Sequence, residues 1–370
     1  MNTITAILEK KEWNHSDLVD LLNASKDDAR LLFDYAGQVR DTHVGNKVFI
    51  RGLIEVANYC AKNCFYCGLR HSNDQILRYQ MDDKDVLDTV RYAWDQGFHS
   101  VVFQSGEITS RPFVRYIDKL LRDTAQITNG RMAVTLSCGE QDEETYKRWF
   151  ESGSTRYLIR IETSNRALFR RIHPDNVMHN FDRRIEALHA LRRTGYHTGT
   201  GVMIGLPFQT IESLASDILF MKEMDIDMVG MGPYLEQRQT PLYAYQSLLQ
   251  PQPERLFLAL KMIAVLRIVM KDINIAAATA LQVIDPDGRE LALGCGANVI
   301  MPDLTPAWAK RNYLLYDNKP NLSLDASEII NKFNESVIKH GLQVAWNERG
   351  DSVHFLHRTT RFNSGLTESY

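Results

Sequence analysis

The 370-residue chain is short of several things, and each shortage closes off a class of protein. No run of eighteen uncharged apolar residues occurs, so a conventional membrane-spanning helix is not expected. The opening stretch, MNTITAILEKKEWNHSD, lacks the charged head and apolar run of a secretory signal, and the chain is expected to be cytoplasmic. Charge of one sign is not in excess: the formal net charge is −3, and nothing suggests a basic patch for nucleic acid. Neither nucleic acid nor a membrane is therefore an expected partner. Internal repeats and low-complexity tracts are also missing. Cysteine is scarce, at five residues, and three of them fall within eight positions. An odd, clustered set argues against a disulfide framework and for metal binding in a reducing compartment.

What is present is an ordinary globular composition, 44% apolar and 24% charged, in a chain long enough to bury a sizeable core. Residues 1–46 are polar and helix-like, with DDARLLFDYAGQVRD repeating apolar positions three to four apart, and form an N-terminal helical extension. From 47 to 318, eight β-rich runs alternate with helical patterns. The runs are KVFIRGLIEVA, SVVFQSG, MAVTLS, RYLIRIET, HTGTGVMIGL, DMVGMGPY, NIAAATA and LALGCGANVI. DDKDVLDTVRYAWDQG predicts a helix that starts at an Asp cap, places Val86, Leu87, Val90, Ala93 and Trp94 on one face and stops at Gly97. Similar helices are predicted near 112–127, 141–151, 178–194, 210–224 and 253–270. Eight strand-then-helix units predict an α/β fold, a (β/α)8 TIM-type barrel whose functional face lies at the strand C-termini. Residues 319–370 are expected to add a helix and then a polar tail.

The stretch VANYCAKNCFYCGLRHSND carries the chemistry. Cys60, Cys64 and Cys67 follow the first barrel strand in C-x3-C-x2-C spacing, at the expected mouth. Iron–sulfur cubanes are held by thiolates, usually four, so three on a short loop leave one iron without a protein ligand. The spacing also allows a zinc site with His71 as fourth ligand. With Tyr66 just before its last cysteine, on the first βα loop, the motif resembles the radical S-adenosylmethionine (SAM) superfamily. That resemblance implies one 4Fe-4S cluster on the three cysteines, with SAM chelated at the open iron. One electron then cleaves SAM to methionine and a 5'-deoxyadenosyl radical.

Further segments extend the resemblance. Gln104, Ser105, Gly106 and Glu107 stand where the superfamily has a Gly-Gly-Glu segment that contacts the methionine amino group. Arg160 and Glu162 in YLIRIETSN could hold the SAM carboxylate and ribose, or pair with each other inside the barrel. Arg184 is a second candidate for the carboxylate, or a solvated surface arginine. Gly205 and Leu206 in GVMIGLPFQT either line the adenine pocket or make a simple βα turn. Alternation points Thr135 and Ser137 inward, Ser137 toward the cofactor, with Cys138 on the opposite face. Cys138 and Cys295 read as small buried hydrophobes.

Taken together across residues 45–316, the segments resemble the HydE-type maturases of FeFe-hydrogenase, with motifs shared by biotin synthase and methylornithine synthase. Biotin synthase needs further strand cysteines for a second cluster, which this chain lacks. A methylornithine synthase-like lysine mutase stays open as the alternative. For the maturase group the resemblance implies an organometallic substrate, an iron complex bearing carbon monoxide, cyanide and cysteine. It also implies other maturation factors as partners and an electron donor such as a ferredoxin or flavodoxin. Thr135, Thr279, Arg289, Asn298, Tyr313 and Tyr316 are expected to bind the substrate. LLYDNKPNLSLDASEI holds no cysteine, so the second surface cluster of some members is not expected.

Overall fold

Arg51 splits the first barrel strand in two, and the split organises the sheet. The structure is a computed structural model that describes residues 3–365 apart from 321, 323–326, 329, 330, 332, 333, 335, 336, 339 and 340. β1 (Lys47–Ile50) pairs in parallel with β10 (Val299–Ile300), whereas β2 (Gly52–Ala57) pairs with β3 (Ser100–Ser105). Between those margins run β4 (Ala133–Ser137), β5 (Ser154–Leu158), β6 (His197–Thr200), β8 (Met228–Pro233) and β9 (Asn274–Ala277). The order is β11-β1-β10-β9-β8-β6-β5-β4-β3-β2, all parallel, with β11 at Gln343–Val344 and β7 (Met203–Ile204) paired to β8. Past β10 the chain keeps to the same edge, and the Leu53 amide donates to the Pro302 carbonyl at 2.8 Å. The result is a curled parallel α/β sheet of partial-barrel form, its strands buried on both faces as such sheets require.

Helices cover the outside: α4 (Asp83–Asp95), α5 (Arg111–Ile127), α6 (Glu143–Glu151), α7 (Arg166–Ile172), α8 (Phe181–Thr194), α9 (Ile211–Glu223) and α10 (Gln252–Val269). In α5, Phe113, Ile117, Leu120, Leu121 and Thr124 recur at helical spacing and all are buried. α8 stops where Gly195 takes φ 98°, a left-handed cap that a side chain would strain. Ahead of the sheet, α1 (Thr3–Leu8) packs on both α2 (His15–Leu22) and α3 (Lys26–His43), which in turn pack against α10. Among the described residues no helix is long and apolar enough to cross a membrane.

Several strand expectations shorten. LALGCGANVI opens with the last four residues of α12 (Gly288–Gly294) and has only Val299–Ile300 in the sheet, and NIAAATA runs into α11 (Thr279–Ile284). In RYLIRIET the regular strand ends at Leu158; Glu162 takes φ 65°, a left-handed conformation, and keeps only an isolated parallel bridge to Val202. The larger correction is at the C-terminus. The helix expected after 319 falls largely outside the described residues. The polar stretch read as a tail instead crosses the N-terminal rim of the sheet and ends in a helix, Val353–Gly365. The Gly350 carbonyl accepts from Arg51 Nη2 at 3.2 Å and Asn274 Nδ2 at 2.9 Å. Asp351 accepts from Arg156 Nη2 at 2.7 Å, and Phe355 stacks on His197.

Candidate active site

One cavity of about 330 Å³ opens at the C-terminal ends of β3, β4, β5 and β8. Its lining includes Cys60, Cys64, Cys67, Tyr66, Gln104, Ser105, Glu107, Ser137, Arg160, Glu162, Arg184, Tyr313 and Tyr316. Residues 118 positions apart in sequence, Tyr66 on the cysteine loop and Arg184 on α8, are thus held on one surface by strand ends and the loops that follow them.

The cysteine loop is fixed from two sides. Gly106 is needed because a Cβ there would sit 2.2 Å from the Tyr59 carbonyl oxygen and 2.6 Å from Cys60 Cβ. That closeness lets the Glu107 amide donate to Cys60 Sγ at 3.4 Å. From the other side, the Asn63 amide donates to His179 Nε2 at 2.9 Å and the Phe65 amide to the Ile172 carbonyl at 3.0 Å. Burial holds His179 down to about 4, with the Lys62 and Arg184 cations adding to it, so the ring stays neutral and can accept. Tyr66 Oη lies 3.2 Å from His173 Nε2.

Burial raises the pKa of all three thiols, that of Cys64 to about 12. Burial disfavours three thiolates side by side; a cationic metal group bound there would reverse the preference. Zinc does not fit. His71 is exposed and lines a separate outer cleft, and among the described residues no three His, Cys, Asp or Glu side chains converge to hold one metal ion. Thiolates that each take a different iron of a cubane need no such convergence.

Beside the thiols sits a buried ion network. Lys62 Nζ lies 3.2 Å from Glu107 Oε1 and 3.1 Å from Glu140 Oε2, and Arg184 Nε donates to Glu140 Oε1. Burial pushes the Glu140 carboxyl up, but the Arg184 and Lys62 cations outweigh it and hold it below its ordinary value. Burial, with Glu140 second, raises Glu107. Arg184 is thus buried and ion-paired rather than a solvated surface arginine. Across the cavity Arg160 Nη2 is 3.1 Å from Glu162 Oε2, so the two form the pair and face the cavity as well.

Deeper in, Thr135 lies with Arg51, Met228 and Asn274 around a void of about 20 Å³ that shares Leu158, Gly230 and Met301 with the main cavity. Its hydroxyl has no partner among the described residues. Asn298 is a correction: it is fully buried in the wall, where Oδ1 accepts from Arg267 Nη2 at 3.0 Å and the Ile275 amide at 2.8 Å. With Nδ2 donating to Asn274 Oδ1 at 2.8 Å, the side chain joins β9 and α10 and does not line the cavity. Thr279 and Arg289 are also absent from the cavity lining, which Ala278 and Ala280 provide instead. Gly205 makes a turn, φ 79°, with its amide on Gln209 Oε1 at 2.7 Å, and Leu206 joins a small apolar cluster with Tyr66 and Tyr234.

Sequence reasoning missed Lys62, Glu140 and the buried Glu55, whose carboxylate accepts from Lys319 Nζ at 2.5 Å beside Tyr313. Lys62 had a signal, a cation inside the cysteine loop itself. Glu140 sits three residues past Ser137 in a strand-end loop, the position where a barrel places working groups.

A sequence profile for the Radical SAM superfamily matches residues 54–221. Over 314 residues the chain is 41% identical to the FeFe hydrogenase maturase subunit HydE of Thermotoga maritima, covering 84% of this chain and 86% of that one. The chain belongs to the HydE family of radical SAM enzymes. The three-cysteine loop of this HydE-family chain lies within the residues matched by the superfamily profile, 54–221. More distant similarity, 28% identity, reaches the 3-methylornithine synthase of Methanosarcina barkeri over 81% of this chain and 82% of that one. The crystal structure of methylornithine synthase (PylB) matches with a TM-score of 0.78 at 24% identity, over 94% of this chain and 98% of that one, which shows the shared fold.

Proposed function

We propose that this HydE-family enzyme holds one 4Fe-4S cluster on Cys60, Cys64 and Cys67, cleaves SAM reductively and acts in assembly of the FeFe-hydrogenase di-iron subcluster, on a cysteine-bound iron complex carrying carbon monoxide and cyanide. The observation that carries the reading is the set of three thiols, Cys64 buried and Cys60 and Cys67 half-buried, on one wall of a cavity whose facing walls bear paired cations and carboxylates. When bound, the cluster and SAM supply a one-electron cleavage that yields methionine and a 5'-deoxyadenosyl radical.

The chain's own residues prepare the site for a zwitterionic cofactor. Arg160 and Arg184 offer guanidinium groups to its carboxylate, and Glu107 and Glu162 offer carboxylates to its ammonium and ribose hydroxyls. Burial of Arg184, Glu107 and Glu162 strengthens their contacts and keeps water from a reactive radical. Tyr313 and Tyr316, from the opposite wall, and Thr135, from the floor, offer hydroxyls to an anionic ligand sphere. We read β1 and β2 as one strand of an eight-stranded barrel spanning 47–318, flanked by the extension 1–46 and the segment 319–370. Five free cysteines are at home in the reducing cytoplasm.

Anaerobic reconstitution tests the cofactor half. About four iron atoms per chain are expected, with 5'-deoxyadenosine formed on addition of SAM and dithionite, and no methylornithine formed from lysine. Zinc in place of iron, or methylornithine as product, contradicts it.

A further inference from the structure

Glu162 carries a backbone conformation that its residue type resists. Its φ of 65° lies in the left-handed region, which residues other than glycine enter at a cost and keep only where the surroundings hold them there. The turn is made at a residue whose carboxylate faces the cavity, 3.1 Å from Arg160 Nη2. Backbone bonds fix one side of it: the Glu162 amide donates to the Gly201 carbonyl at 3.0 Å, and the Met203 amide to the Glu162 carbonyl at 3.1 Å. The other side, where the chain leaves toward α7, is held from a different element.

That element is α9, through Asp217. The side chain is fully buried, and Oδ1 accepts from the Ser164 amide at 2.6 Å, from Ser164 Oγ at 2.6 Å and from Thr163 Oγ1 at 3.5 Å. Thr163 and Ser164 are the two residues that follow Glu162. Oδ2 has no partner among the described residues. Asp217 shares the buried face of its helix with Leu214, Ile218 and Met221, where an apolar side chain would pack without the cost of burying a carboxylate. The helix itself does not need the acid, since Thr210 and Ser213 cap α9. Nor does Asp217 cap α7, where the Ala167 and Leu168 amides each donate to Asn165 Oδ1 at 3.0 Å. Its bonds go to the exit of the Glu162 turn.

We propose that Asp217 is a positioning residue for SAM: from behind the cavity wall it holds residues 163–164, so that Glu162 keeps its left-handed turn and presents its carboxylate to the cofactor. The inference rests on the proposed SAM chemistry of the same site. Burial pushes the Asp217 pKa up to about 7, against the bonds from Ser164 and then Thr163. Its work as an acceptor therefore does not depend on a full charge, and an amide oxygen at the same place can do it. Asp217 touches neither the cavity nor the thiols, so its effect on the cofactor passes through Glu162.

The test reads SAM affinity by titration calorimetry on the anaerobically reconstituted enzyme, together with SAM-free crystal structures of wild type and variants. Asp217→Ala is expected to bind SAM about tenfold more weakly, the size of one lost hydrogen bond to a charged group, and to show Glu162 out of its left-handed turn. Asp217→Asn keeps an acceptor oxygen and is expected to bind within about twofold of wild type. The deciding comparison is made in a Glu162→Ala background, where Asp217→Ala is expected to change SAM affinity by less than about twofold, because nothing is left to position. An undiminished loss in that background overturns the proposal, and so does a Glu162 φ that stays left-handed in Asp217→Ala. If Asp217→Ala does not fold, Ser164→Ala, which deletes the hydroxyl bond alone, takes its place. It is expected to weaken SAM binding about threefold in the wild-type background and not at all beside Glu162→Ala; a loss in neither background, or in both, overturns the proposal. A wild type that binds no SAM, while Glu162 leaves its turn in Asp217→Ala, removes the functional reading and leaves the hold of Asp217 on Glu162 standing.

Discussion

Glu140 shows how much a single side chain carries here. It is 1% exposed and sits between Lys62, Arg184 and, at 3.6 Å, Arg183. Removing one partner of a buried ion network strands the others, which costs about 3 to 5 kcal/mol. Glu140→Gln is therefore expected to lower unfolding free energy by about 3 kcal/mol in a denaturant titration, and to weaken SAM binding because Arg184 loses its anchor. An unchanged titration midpoint in the variant contradicts the assignment. The same residue marks a limit of sequence reading. The three thiols announce themselves by spacing, because cubane ligation needs cysteines near one another in a short loop. A carboxylate that organises the cations behind them carries no such signature, since only the fold brings residues 62, 140 and 184 together.

Among the elements, those with strong periodicity were the legible ones. α4, α5, α9 and α10 lie within a residue or two of their expected bounds because each is a long apolar-rich run that opens at a helix-starting residue, Asp82, Ser110, Thr210 or Pro251. Short apolar runs were not legible in that way. Residues 291–294 form part of α12 although they read as a strand, because four apolar-rich residues fit either geometry and tertiary packing decides. The C-terminal segment was missed for a related reason. Its contacts are polar and long-range: Arg156 to Asp351, Arg358 to Asp227 at 2.5 Å, and His354 between Asp225 at 2.7 Å and Asp272 at 3.1 Å. Hydrogen bonds to Asp272 and then Asp225, with their charges, raise the His354 pKa despite partial burial. A base whose folded pKa lies above its unfolded value of about 6.5 contributes stability fully below that pH and loses the contribution as pH rises through the folded value. The stability difference between wild type and His354→Gln is thus expected to be largest in mildly acidic buffer and to shrink as pH climbs above about 6.5. A difference that holds constant or grows with pH rules out this clasp.

At the scale of the molecule, the two ends of the curled sheet do different jobs. The N-terminal rim is sealed by the segment from 346 to 358, whose Gly350 carbonyl and Asp351 carboxylate hold Arg51, Asn274 and Arg156 under the cavity floor. The C-terminal rim gathers the thiols, the ion network and the tyrosines. A chamber closed below and chemically equipped above is suited to radical chemistry, and membership of the HydE family at 41% identity points the first test at hydrogenase maturation. The most direct test is hydrogen evolution from an extract that contains apo-hydrogenase and the other maturation factors but lacks this one. Anaerobically reconstituted wild type is expected to restore hydrogen evolution, and the Cys64→Ser variant is expected to leave it at background. Background activity with a wild-type protein that still cleaves SAM would contradict the maturase function.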